Sequence, residues 1–121
     1  DVDNAEGQLF LRGYQITDQR GKVNFVTIYP GWYPGRAIHI HFKVRTPTRS
    51  GKAELLTSQL YFDEAVTKQV YQQQPYAARA TGYQTNERDG IYRSGGKQLL
   101  LRPEKDARGY VAVFGIGLML S

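Results

Sequence analysis

The chain contains two histidines, His39 and His41, and they stand at i and i+2. In an extended strand this spacing points both imidazoles to one side, with Cα atoms about 6.5–7 Å apart, a workable separation for a shared metal ion. Neutral imidazole nitrogen is the commonest protein ligand for borderline metals. His-x-His also occurs as a plain pair of surface histidines, so the spacing alone decides nothing. A third residue strengthens the metal reading. Tyr33 lies six residues before His39, in a loop constrained by Pro30-Gly31 and Pro34-Gly35. A phenolate is a hard, anionic oxygen donor and suits a hard trivalent cation such as Fe(III). The chain has no cysteine, so thiolate ligands and disulfides are excluded, and any metal must be held by His, Tyr, Asp or Glu.

The elements that must position these residues are mainly strands. Over Ala37–Arg45 the side chains alternate, with Ile38, Ile40, Phe42 and Val44 on one face and His39, His41, Lys43 and Arg45 on the other. The apolar face fixes the register and thereby holds the histidine face in place. Upstream, the same period of two predicts strands over Gln8–Ile16 and Lys22–Tyr29, joined by a turn at Thr17–Gly21. Downstream, Glu54–Phe62 reads as a strand. Asp63 then reads as the N-cap of a short helix running to Gln73, with Ala65, Val66, Val70 and Tyr71 available for burial and Pro75 beyond its end. Tyr76–Gly96 reads as a long polar loop. Lys97–Arg102 and Tyr110–Leu120 make a final strand pair around Pro103–Gly109. The expected class is all-β, a β-sandwich with one short helix, in one domain spanning residues 1–121.

Composition narrows the function classes. Hydrophobic content of 40% supports a core, and 22% charged residues is ordinary for a globular chain. A net charge of +5 makes a polyanion worth considering. The cations are scattered singly, at Arg12, Arg20, Lys22, Arg36, Lys43, Arg45, Arg49 and Lys52, with no basic block. They read as a solvated surface, and no nucleic-acid partner is expected. No apolar run approaches the roughly 20 residues that cross a bilayer, so no membrane partner is expected.

One stretch carries a family likeness. Phe10-Leu11-Arg12-Gly13, Thr17-Asp18, Gly21, Phe25 and the run from Thr27 to Phe42, which contains Tyr29-Pro30-Gly31-Trp32-Tyr33-Pro34-Gly35-Arg36 and His39-Ile40-His41, closely resemble the intradiol ring-cleavage dioxygenases. The likeness is to their small single-domain branch. It continues through Ser58-Gln59-Leu60-Tyr61-Phe62-Asp63 and through Gly109-Tyr110 and Gly115-Ile116-Gly117-Leu118, nearly the whole chain.

The resemblance implies a transthyretin-like sandwich and a non-haem Fe(III) held by two tyrosines and two histidines. On this chain Tyr33 matches the axial tyrosine that leaves the metal when substrate binds. His39 matches the equatorial histidine and His41 the axial one. Arg36 matches the arginine beside the substrate, which stabilises negative charge, and Gln59 matches a pocket glutamine near the reacting ring. The implied substrates are a catechol and O2, and the implied product is a cis,cis-muconate. The family's first tyrosine ligand lies in a Gly-x-Tyr-Ser element and is expected upstream of Asp1, with the N-terminal strand segment. Tyr14, in its Arg-Gly-Tyr-Gln context, matches a different position. Members of this branch are often exported, which makes extracellular action the expectation.

Other readings stay beside this one. Tyr29 and Trp32 read as loop packing more readily than as pocket lining, and Tyr61, Tyr71, Tyr76, Tyr83, Tyr92 and Tyr110 as core or surface aromatics. Arg36 could serve a structural salt bridge. A zinc hydrolase or cupin-like enzyme is disfavoured by two histidines without cysteine. The remaining alternative is a transthyretin-like binding module with an incomplete, non-catalytic metal site.

Overall fold

The computed structural model describes residue 7 and residues 9–119. Its centre is a hairpin of two long antiparallel strands, β1 (His39–Thr48) and β2 (Gly51–Phe62). The alternation read from 37–45 is present: Ile40, Phe42 and Val44 are half-buried, while His41, Lys43 and Arg45 face outward. Thr48 pairs with Gly51 across a tight turn at Arg49-Ser50, and Gly51 takes a φ of 137°, open to glycine at little cost. The register slips between Val44 and Arg45, where Leu55 is the extra residue of a bulge. Beyond the bulge His41 faces Gln59 and His39 faces Tyr61. Directly opposed residues of an antiparallel pair share a face, so β2 supplies the neighbours of the two histidines.

After β2 the chain makes a crossover and returns in parallel. Asp63 caps helix α1 (Glu64–Val70), its carboxylate accepting the Ala65 N–H at 2.8 Å. The helix ends at Val70, one turn short of Gln73, because Tyr71 and the residues after it turn toward Pro75. Residues 76–96 are more ordered than their composition predicts. They form 3-10 turns at Tyr76–Arg79 and Asn86–Arg88 and a one-turn helix α2 (Gly90–Arg93), and a further 3-10 turn follows at Gly96–Leu99. The crossover delivers β3 (Leu100–Leu101), which runs parallel to the end of β2, pairing Leu100 with Tyr61 and Leu101 with Phe62. A short ribbon follows, β4 (Glu104–Lys105) with β5 (Tyr110–Val111).

The core lies where α1 packs on the sheet: Ile38, Phe62, Val70, Tyr71 and Leu101 are buried, with Tyr29, Trp32, Ile40 and Tyr83 packed around them. Tyr29 and Trp32 therefore do pack against the core, and Trp32 also lines a small cleft of about 100 Å³ with Tyr71, Pro75, Tyr76 and Arg79. The Tyr29 ring lies 4.5 Å from Phe62, and its hydroxyl bonds Thr67 at 2.6 Å. Burial raises the Tyr29 phenol well above its usual range.

The fold is sheet-rich with short helices, but several expected strands do not form. Residues 9–16 and 22–29 carry the right period yet form no strand among the described residues, and Gln8 lies outside them. The turn between them is present, with Asp18 accepting from the Arg20 and Lys22 N–H groups and Gly21 at φ 76°. The expected last pair does not form either: Leu100–Leu101 pairs with β2, and Tyr110–Val111 pairs with Glu104–Lys105 inside the expected turn. Residues 97–99 form a 3-10 turn and only 110–111 of the final segment pair, while 112–119 are irregular and Leu120 lies outside the described residues. The unpaired segments leave apolar side chains exposed, among them Val26, Phe25, Ile16 and Val113. The accessible surface is 10125 Å², against about 6,600 Å² for a folded monomer of this mass. The described residues thus build a three-stranded sheet, β1-β2-β3, with α1 against it, and a separate two-stranded ribbon, β4-β5.

Candidate metal centre

His39 begins β1, where the strand leaves the Pro/Gly loop, and its side chain is nearly buried. Its Nδ1 lies 2.6 Å from the Ala37 carbonyl oxygen. A carbonyl only accepts, so Nδ1 carries the proton, and the neutral ring presents a lone pair at Nε2. A metal-ligating histidine is oriented in this way by its second nitrogen. His41 Nε2 lies 3.2 Å from His39 Nε2, and the Tyr33 hydroxyl lies 3.0 Å from that same nitrogen. The Pro34-Gly35 turn, with Gly35 at φ 83°, folds the loop back and brings Tyr33 onto the histidines.

This geometry is poor as a hydrogen-bond network and good as a donor set. His39 Nε2 has one lone pair, yet two potential donors crowd it. Bonds of about 2.0–2.1 Å from one metal ion would separate neighbouring donors by about 2.9–3.3 Å. The observed 3.0 and 3.2 Å fall in that interval. Two imidazole nitrogens and a phenol oxygen thus fit a hard or borderline cation. Among the described residues, no group of three or more His, Cys, Asp or Glu forms a cage. The phenol is what completes this set.

Burial pushes His39 below the usual histidine range. The Arg36 and His41 charges add to that, and the bond to Ala37 and the Asp89 carboxylate partly oppose it. His41 is lowered by burial and then by Arg36. Both rings are therefore neutral, the ligating form, at pH 7.

Arg36 stands over this cluster. Its Nε donates to Asp89 at 2.9 Å, one terminal nitrogen donates to Gln59 Oε1 at 2.5 Å, and the other reaches the Tyr33 oxygen at 3.4 Å. The guanidinium thus serves both a salt bridge and the site. Burial alone would weaken its cationic form; the Asp89 contact more than offsets this. The same Gln59 Oε1 also accepts from the Tyr61 hydroxyl at 3.0 Å. Tyr61 is itself buried, and burial raises its phenol, which stays protonated as the donor.

Sequence reasoning missed two supporting residues, Asp89 and Tyr61. Asp89 is fully buried. One of its oxygens takes Arg36 Nε and the Ala37 N–H at 2.7 Å; the other takes the Ile91 and Tyr92 N–H groups at 2.8 and 3.0 Å, capping α2. Burial would raise this carboxyl, but the four bonds outweigh burial and hold it below the usual range. The only sequence signal was Asp89-Gly90 as a possible helix cap. Tyr61 was legible as the cross-strand partner of His39 once β1 and β2 were paired, since both lie on one face.

A cleft of about 480 Å³ opens beside the cluster. His41, Gln59 and Tyr61 form one wall and the 91–99 segment the other, a size within the usual range for small-molecule sites.

The likeness to known proteins can now be set against this geometry. A solved structure of an intradiol ring-cleavage dioxygenase from Tetranychus urticae superposes with a TM-score of 0.76 at 30% identity, covering 90% of this chain and 53% of that one. A second solved structure, of a dioxygenase, superposes with a TM-score of 0.67 at 34% identity, covering 78% of this chain and 45% of that one. The chain spans about half the length of each. No protein-family model and no curated protein matches it.

Proposed function

We propose, for a chain that belongs to the intradiol ring-cleavage dioxygenase family, that Tyr33, His39 and His41 are ligands of a non-haem Fe(III) and that the protein opens catechol rings. Cleavage between the two hydroxyl-bearing carbons gives a cis,cis-muconate, with one oxygen of O2 entering each new carboxyl group. The carrying observation is that the Tyr33 oxygen and His41 Nε2 lie 3.0 and 3.2 Å from His39 Nε2, with the Arg36 guanidinium fixed by Asp89 reaching the Tyr33 oxygen. A ferric ion held there would supply a Lewis-acidic, redox-active seat for both catechol oxygens.

The chain's own residues support the rest. As the ligand of a ferric ion, Tyr33 would accept the proton of an incoming catechol hydroxyl. Arg36, 3.4 Å from the Tyr33 oxygen, would stabilise negative charge developing on the ring oxygens. Gln59 holds Arg36 and faces the cleft. A two-layer sandwich belongs to the same proposal. The alternating segments at 9–16 and 22–28, which expose their apolar residues, have the pattern a second sheet requires.

The test is oxygen uptake with catechol by iron-loaded protein, with product identified by its mass and ultraviolet spectrum. One O2 consumed per ring opened between the hydroxyl carbons supports the proposal. Iron-loaded protein that neither takes up oxygen nor opens the ring refutes it.

A further inference from the structure

Beside the three donor atoms, the cleft wall has a composition that bears on substrate choice. Facing His41, Gln59 and Tyr61, the 91–99 segment contributes Ile91, Ser94 and Leu99. Among the described residues, no Asp, Glu, Lys or Arg lines the cleft. Arg93 and Lys97 adjoin lining residues in the chain but are exposed and line none of the cleft, and Arg36 is committed. Its nitrogens are engaged by the buried Asp89, by Gln59 and by the Tyr33 oxygen, and none of them lines the cleft. A carboxylate on the ring would find no guanidinium or ammonium among the lining residues. A carboxylate moved out of water without such a partner is strongly disfavoured.

From this we infer that the cleft selects catechols whose ring substituents are uncharged, alkyl groups above all, and discriminates against catechols carrying a carboxylate. This inference rests on the ring-cleavage reading of the same site. Neutral hydroxyl and amide groups in the cleft offer hydrogen bonds to an uncharged ring, and Ile91 and Leu99 offer apolar contact to a substituent. The net charge of +5 acts in the opposite direction, attracting any anion from a distance. That attraction is screened at physiological salt over about 8 Å and changes the rate of encounter more than the preference of the bound state.

The experiment is calorimetric titration of the iron-loaded protein at about 0.15 M salt with catechol, 4-methylcatechol and 3,4-dihydroxybenzoate. A Gln98→Arg variant, which places a cation at the exposed edge of the cleft, is titrated in parallel. The expected result is binding of 4-methylcatechol tighter than 3,4-dihydroxybenzoate by on the order of tenfold to a hundredfold. The ratio should narrow in Gln98→Arg through tighter binding of the carboxylate. Equal affinities, or a preference for 3,4-dihydroxybenzoate, overturn the inference and leave the ring-cleavage reading standing. Binding of none of the three overturns that reading, and the inference with it.

Discussion

Replacing Asp89 by Asn isolates the ion pair that positions Arg36. Asn is nearly the same size and remains a good N-cap, so the Ile91 and Tyr92 N–H groups can keep an acceptor. Its amide has only one oxygen, however, and the side facing Arg36 Nε and the Ala37 N–H becomes a donor. Two charge-assisted or buried bonds are lost, and a guanidinium whose side chain is 18% exposed loses its counter-ion. Removing one partner of a buried pair costs about 3–5 kcal/mol, and the residual exposure of Arg36 places this case near about 3 kcal/mol. At roughly 4 °C per kcal/mol for a small domain, Tm should fall by about 12 °C. A double-mutant cycle with Arg36→Met separates the pair from general disruption. The double variant should lie at least about 1 kcal/mol above the sum of the single effects, because it leaves no charge stranded. Thermal unfolding followed by circular dichroism measures all four proteins. A fall of less than about 4 °C in Asp89→Asn, or strict additivity in the cycle, would refute the buried-pair reasoning.

Further outcomes follow from individual contacts. Because the Asp89 carboxyl is held below its usual range when folded, its contribution is fully present above its unfolded value, about pH 4, and is lost as pH falls through the folded value. The stability gap between wild type and Asp89→Asn should therefore close below about pH 4, measurable by urea unfolding at a series of pH values. Thr67→Val removes the hydroxyl bonded to Tyr29 at 2.6 Å and should cost about 1–2 kcal/mol, read from the urea midpoint. Gly96→Ala would set a Cβ 2.6 Å from the Tyr92 ring and 3.1 Å from Tyr61, so it should cost about 1–3 kcal/mol and weaken catechol binding by disturbing the cleft wall. Unchanged stability in Gly96→Ala would show that the Tyr61–Tyr92 packing yields freely.

What could be read from the sequence was whatever depends on local chemistry. The alternation from Ile38 to Val44, the Asp63 cap and the Asp18–Gly21 turn each involve residues a few positions apart, and each is present. The segments at 9–16 and 22–29 show the limit of that reasoning. A period of two records which face a strand would bury, but a strand also needs a neighbouring strand for its N–H and C=O groups, and among the described residues none pairs with these segments. The centre divides the same way. His39 and His41 were legible from spacing, Tyr33 from its donor chemistry and its Pro/Gly loop, and Arg36 and Gln59 from the family resemblance; the structure brings all five side chains together. Asp89 was not legible, because its role depends on a partner 53 residues away and on complete burial, and neither leaves a mark on the residues beside it.

The most direct measurement of the central claim is the visible spectrum of the protein loaded with Fe(III), compared with its Tyr33→Phe variant and with the metal content of both. A tyrosinate–iron centre predicts a red to burgundy charge-transfer band that is lost or strongly bleached in Tyr33→Phe. Colourless protein carrying zinc or no metal, or a band unchanged in Tyr33→Phe, would contradict the account and leave a sheet-rich binding module without a ferric site.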